Sequence, residues 1–138
     1  MNLRTLILFF CVACGGGAAS DDGSCLGANC DSPTSCDEGG CDLSCDGPEC
    51  DLSCDGGGCD LTCKGDSCAT TCAGGDCNVT CQATTCDIGC AGDGCVVTCG
   101  EGSETCHLDA CSRQCTLTCG GASDCETSCK MAQGCVTL

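Results

Sequence analysis

The chain has no tryptophan and no tyrosine, and both of its phenylalanines, Phe9 and Phe10, fall within the first ten residues. An aromatic interior is therefore excluded for the rest of the molecule. Large aliphatics are scarce as well: past residue 13 they are Leu26, Leu43, Leu52, Leu61, Val79, Ile88, Val96, Val97, Leu108, Leu117, Met131, Val136 and Leu138. That set is too small to bury the apolar area an ordinary core of this length requires. Basic residues are fewer still. Beyond residue 20 only Lys64, Arg113 and Lys130 oppose all 20 acidic side chains, so charge disfavours binding to phosphate backbones or anionic lipid headgroups.

Two chemical functions are also missing their parts. His107 is the sole histidine, and the apolar residues needed to line a preorganised Ser/His/Asp pocket are absent. A strongly acidic chain gives little help to an ionised cysteine nucleophile. No catalysis and no cofactor are expected. After residue 14 there is no CC, C-x-C or C-x-x-C, the close spacings with which metallothioneins clamp metal clusters, so thiolate metal binding is disfavoured.

What the chain does have is 26 cysteines and 22 glycines in 138 residues. Few aliphatics with high net charge would by themselves read as disorder. A short chain this rich in cysteine reads instead as a cross-linked scaffold. From Cys36 to Cys99 the cysteine gaps run five, four, five, four without a slip, which makes seven periods of nine. After Cys99 the gaps loosen but persist to Cys135. A helix does not fit, because the five-residue gap rotates the third cysteine off the shared face and glycine recurs in nearly every period. The helical, thiol-lined plan of bacterial copper-storage proteins is thus a poor match.

Strand alternation does fit. In Cys41-Asp-Leu-Ser-Cys45 the cysteines and leucine point one way while Asp42 and Ser44 point the other. The segments between strands (DGPE, DGGG, KGDS, AGGD, QATT, AGDG) are four-residue turns. The fold predicted is all-β, a small disulfide-rich β-solenoid of short strands in nine-residue Cys-x3-Cys-x4 units, irregular after residue 99. Two units form one flattened coil of 18 residues, and the coils stack at about 4.8 Å. The organisation expected is a signal peptide over 1–13, a Gly/Ser/Asp tether over 14–35, the regular solenoid over 36–99 and degenerate repeats over 100–138. Residues 99–115 do not parse into the repeat.

The first residues carry an address. MNLR is a short positive start, TLILFFCVA a nine-residue apolar run and CGGGAAS a small-residue exit, too short to span a bilayer and in keeping with a secretion signal. Cys11-Val12-Ala13-Cys14 before glycines is similar to the lipobox of bacterial lipoprotein precursors, although Cys11 stands where that family usually has leucine. The resemblance implies cleavage after Ala13, lipidation of Cys14 with diacylglycerol and an acylated amino group, and attachment to a membrane through those chains. With Gly15 next, and no aspartate there to retain it inside, it implies an outer-membrane lipoprotein of the cell envelope. Ordinary signal cleavage after Ser20, giving a secreted chain, is the alternative. Cleavage after Ala13 with Cys14 committed to lipid, or cleavage after Ser20, leaves 24 cysteines to pair, enough for twelve disulfides.

Pairing is constrained by distance. Cys41 and Cys45 lie roughly 13 Å apart along a strand and cannot bond each other. Pairing across each turn gives Cys25–Cys30, Cys36–Cys41, Cys45–Cys50, Cys54–Cys59, Cys63–Cys68, Cys72–Cys77, Cys81–Cys86 and Cys90–Cys95. A rival scheme joins stacked coils, Cys41 to Cys59 for instance, and spacing leaves both open. Asp37, Asp42, Asp55 and Asp60 are weak calcium candidates, since stacking places like charges above one another. Beetle antifreeze proteins are disulfide-bonded solenoids too, but here only Thr116 and Thr118 flank an inward residue as a Thr-x-Thr pair. The function expected is that of a lipid-anchored, acidic repeat protein with a structural or interaction role at the envelope. It would bind a membrane and an envelope or extracellular protein, and no nucleic acid. Metal or calcium binding is the second reading and ice binding the third.

Overall fold

A computed structural model describes residues 34–129 and 134–138. The signal segment, Cys14 and the Cys25–Cys30 pair lie outside the described residues. Within them, nine strands form one parallel sheet that winds upon itself as a β-solenoid of about six coils, with no helix. The strands are β1 (Thr34–Cys36), β2 (Asp42–Cys54), β3 (Asp60–Cys72), β4 (Asn78–Cys90), β5 (Val96–Cys99), β6 (Thr105–Asp109), β7 (Thr116–Thr118), β8 (Asp124–Thr127) and β9 (Val136–Thr137).

Register follows the cysteines. Every residue of β2 that pairs with β3 meets the residue eighteen positions on: Leu43 meets Leu61, Cys45 meets Cys63, Asp46 meets Lys64. The same offset joins β3 to β4 and β4 to β5. Parallel in-register stacking of this kind puts like on like, because each coil repeats the pattern of the one below.

The strands are longer than expected. β2, β3 and β4 have 13 residues each, since the segments DGPE, KGDS and QATT bend without leaving the ladder. The other corners, DEGG, DGGG, AGGD and AGDG, leave it and turn through left-handed backbone, as at Gly57 with φ 77°. Two kinds of corner therefore alternate. The cysteine spacing repeats every nine residues, while the backbone repeats every eighteen.

The interior is thin and lined by two columns of side chains and two of disulfides. Leu43, Leu61, Val79, Val97 and Leu117 form one buried aliphatic column. Leu52, Thr70, Ile88 and Leu108 form the facing one. Two stacks of disulfides close the corners. Outward residues alternate with these along every strand, so Asp, Ser, Thr and Asn take the solvent side.

Among the described residues the first strand is β1, whose Thr34, Ser35 and Cys36 stack on Leu52, Ser53 and Cys54. The stretch 99–115 is a widened coil of the same solenoid: β6 stacks on β4 with an offset of twenty, Cys106 over Cys86 and Leu108 over Ile88. The extra residues sit in the corner between Cys99 and Cys106, where a loop adds length at little cost to the ladder. Residues of β8 and β9 extend the stack further, so the degenerate repeats are structural continuations.

Candidate functional site

The sulfur stacks take the place of an ordinary core. Eleven disulfides close among the described residues. Cys36–Cys41, Cys45–Cys50, Cys54–Cys59, Cys63–Cys68, Cys72–Cys77, Cys81–Cys86 and Cys90–Cys95 each bridge five positions across a corner. The widened coils add Cys99–Cys106, Cys111–Cys115, Cys119–Cys125 and Cys129–Cys135. Their Cα separations run from 5.8 to 6.5 Å, inside the span of about 4.4–6.8 Å that a disulfide permits. Both partners face inward because a strand that reverses across a thin interior presents its last inward residue to the first one after the bend.

At the left-handed corners the bridges stack closely. The sulfurs of Cys54, Cys59 and Cys77 lie within 4.8 Å of one another, as do those of Cys36, Cys41 and Cys59. These sulfurs are oxidised, so they offer no thiolate to a metal.

The outer surface carries the charge in columns. Asp42 pairs with Asp60, and Asn78 continues the column in neutral form. Asp46 sits beside Lys64 in the ladder. Asp37 and Asp55 occupy the glycine-rich corners, where the Asp55 amide donates to the Cys36 carbonyl. Among the described residues, the groups of three whose ligand atoms converge within 4.8 Å include none of Asp37, Asp42, Asp55 and Asp60.

A hydroxyl column runs beside the Asp42–Asp60 column: Ser44, Thr62, Thr80, Thr98 and Thr118 stack in register through five coils. Thr118 belongs to this column and Thr116 to the neighbouring one. The neighbouring column reads Asp42, Asp60, Asn78, Val96 and Thr116, so its charged and amide residues occupy the lower coils and its apolar and hydroxyl residues the upper.

On the opposite face the widened coil sets His107 directly over Asp87 and directly under Glu126. Nδ1 of His107 lies 3.7 Å from Asp87 Oδ1, and Nε2 lies 3.5 Å from Asp124 Oδ2. Arg113 is engaged elsewhere: its Nε and terminal nitrogen both donate to Asp93 Oδ2, at 3.2 and 2.8 Å. The sequence alone presents His107 as a lone surface histidine. Its three acidic neighbours become visible only when the insertion between Cys99 and Cys106 is counted into the coil. Comparison of the chain with family models, curated proteins and solved structures returns no match.

Proposed function

We propose that this chain is a secreted, lipid-anchored acidic solenoid that serves a structural or interaction role at the outer face of a bacterial envelope, without catalysis. The observation that carries this reading is the replacement of a hydrophobic core by eleven disulfides. Bridges of that number form and persist only where the surroundings are oxidising. The lipobox-like Cys11-Val12-Ala13-Cys14 supplies the export route and the anchor. The outward residues are small, polar and acidic, which suits a stiff rod held off a surface by a tether.

The test is fractionation of cells that produce the chain with and without Cys14→Ser. The native chain partitions into detergent with the membrane fraction, and the variant is released. Continued membrane attachment of the variant would overturn the anchor. Abundant alkylatable thiols in the exported chain would overturn the oxidised scaffold.

Calcium binding, the second reading, draws support from the Asp42–Asp60 column. A large fall in melting temperature on chelation would promote it. Ice binding, the third, draws on the hydroxyl column from Ser44 to Thr118, and thermal hysteresis in the purified protein would raise it.

A further inference from the structure

We propose that His107, Asp124 and Glu126 form a binding site for one divalent transition-metal ion of the zinc class. It lies across the strands β6 and β8 on the face opposite the hydroxyl column. Asp124 and Glu126 are two positions apart on β8, so both project outward while Cys125 between them turns inward to its disulfide. His107 on β6 is the register partner of Glu126, and Thr105 is the register partner of Asp124. One ligand atom from each of His107, Asp124 and Glu126 falls within 4.8 Å of the others.

The distances suit an ion held between the groups. Nε2 of His107 and Oδ2 of Asp124 stand 3.5 Å apart, too far for a good hydrogen bond, whose usual span is about 2.7–3.2 Å. Two ligands on a tetrahedral zinc, with bonds of about 2.0–2.1 Å, are separated by about 3.4 Å. Nε2 is moreover shielded from solvent and has no hydrogen-bond partner among the described residues. The hydroxyl oxygen of Thr105, beneath Asp124, is shielded and unpartnered in the same way. Buried polar atoms without partners are costly, and ligation of Nε2 would satisfy the first of them.

Asp87 completes the arrangement from below. Its Oδ1 lies on the Nδ1 side of the ring, 3.7 Å away, so a small side-chain shift lets it accept the Nδ1 proton. That contact leaves the Nε2 lone pair for the metal, the usual role of a carboxylate behind a ligating histidine. Among the described residues no lysine or arginine is a ladder partner on this face; the columns read Asp51, Ala69, Asp87, His107, Glu126 and Glu49, Ser67, Thr85, Thr105, Asp124. An imidazole with two carboxylates suits zinc, copper(II) or nickel, whereas calcium and magnesium prefer oxygen alone. The cysteines do not compete, because the neighbouring ones are held as Cys99–Cys106 and Cys119–Cys125.

The test uses the full oxidised chain, stripped of metal and titrated with zinc sulfate by calorimetry and proton NMR. With one histidine in the chain, the two imidazole carbon-bound protons give a single, unambiguous pair of signals. Zinc is expected to bind at one ion per chain and to move both signals. His107→Ala should weaken binding at least tenfold, and Asp124→Asn and Glu126→Gln about tenfold each. Asp51→Asn, a carboxylate in the same column but away from the ring, should leave it unchanged. Circular dichroism and thiol counting on each variant separate loss of the site from loss of the scaffold. Equal zinc affinity in native and His107→Ala chains, or imidazole signals that stay still at saturating zinc, would overturn the proposal, as would full displacement by an equal concentration of calcium.

Discussion

Gly65 stacks on Gly47 at the ladder-held corner with no room between them for a methyl group. A Cβ on Gly65 would run into the Gly47 carbonyl oxygen, and the backbone there has φ 141°, a region that side chains rarely enter. A Cβ on Gly47 would meet nothing within 4 Å, and no left-handed backbone strains it. One corner thus holds an obligatory glycine beside a dispensable one.

Gly65→Ala is accordingly expected to destabilise by about 2–4 kcal/mol, from clash and backbone strain together. Gly47→Ala should stay within about 0.5 kcal/mol of the native chain. Native-state amide exchange of the oxidised protein reads both, with accelerated exchange around residues 60–72 in the first variant alone. Equal behaviour of the two variants would contradict the corner geometry.

Thr70 makes the opposite kind of prediction. It lies between Leu52 and Ile88 in a buried aliphatic column, 2 % exposed, and its hydroxyl has no hydrogen-bond partner among the described residues. Valine has nearly the same shape without the hydroxyl. Thr70→Val should therefore stabilise by about 1 kcal/mol by removing an unsatisfied buried group. A rise in the melting temperature of the oxidised chain checks it, and a fall would mean that the hydroxyl has a partner after all.

The fold was legible because the cysteine spacing states both the strand length and the corner length. The limits of that reading have particular causes. Thr70 escaped because the segment Cys68-Ala-Thr-Thr-Cys72 has no aliphatic at its centre, yet position in the period overrides polarity there. The alternation of corners escaped because DGPE and DGGG look alike as turn sequences. They differ in whether left-handed backbone takes the chain out of the ladder, as at Gly57 and Gly58, or leaves it paired, as at Glu49. The column from Ser44 to Thr118 was not evident from neighbours along one strand, since its members are neighbours only across coils. Stacked residues are about 4.8 Å apart, closer than outward residues two positions apart on a strand. The surroundings of His107 were hidden by the insertion after Cys99, which breaks the count of eighteen.

Charge stacking gives a third expectation. Asp42 and Asp60 are direct ladder partners, both exposed, and like charges so placed repel. Asn78 shows that an amide fits the next position in the column. Asp60→Asn should stabilise by about 0.5 kcal/mol at low ionic strength, and the gain should vanish near 1 M salt. If calcium instead stabilises the native chain and not the variant, the calcium reading gains ground. A variant less stable than the native chain in low salt without calcium would refute the repulsion.

The close sulfur stack leads to a fourth. Removing Cys72 by Cys72→Ala leaves Cys77 as a free thiol, and its sulfur sits within 4.8 Å of the sulfurs of Cys54 and Cys59. The Cys77 thiolate can attack the Cys59 sulfur, forming Cys59–Cys77 and releasing the Cys54 thiolate, with no oxidant or reductant consumed. The product joins stacked coils, so its two strands are already ladder neighbours about 4.8 Å apart, within the Cα span a disulfide needs. Peptide mapping of the variant should find Cys59–Cys77 beside Cys54–Cys59, in proportions that reach equilibrium faster at pH 9 than at pH 6, because the attacking species is the thiolate and an ordinary cysteine ionises near pH 8.5. Cys63→Ala should leave Cys68 quieter, as the sulfurs at the ladder-held corners form no such convergent triads among the described residues. Exclusive retention of Cys54–Cys59 at both pH values would mean that the stack, though close, holds its bridges in an orientation that forbids in-line attack.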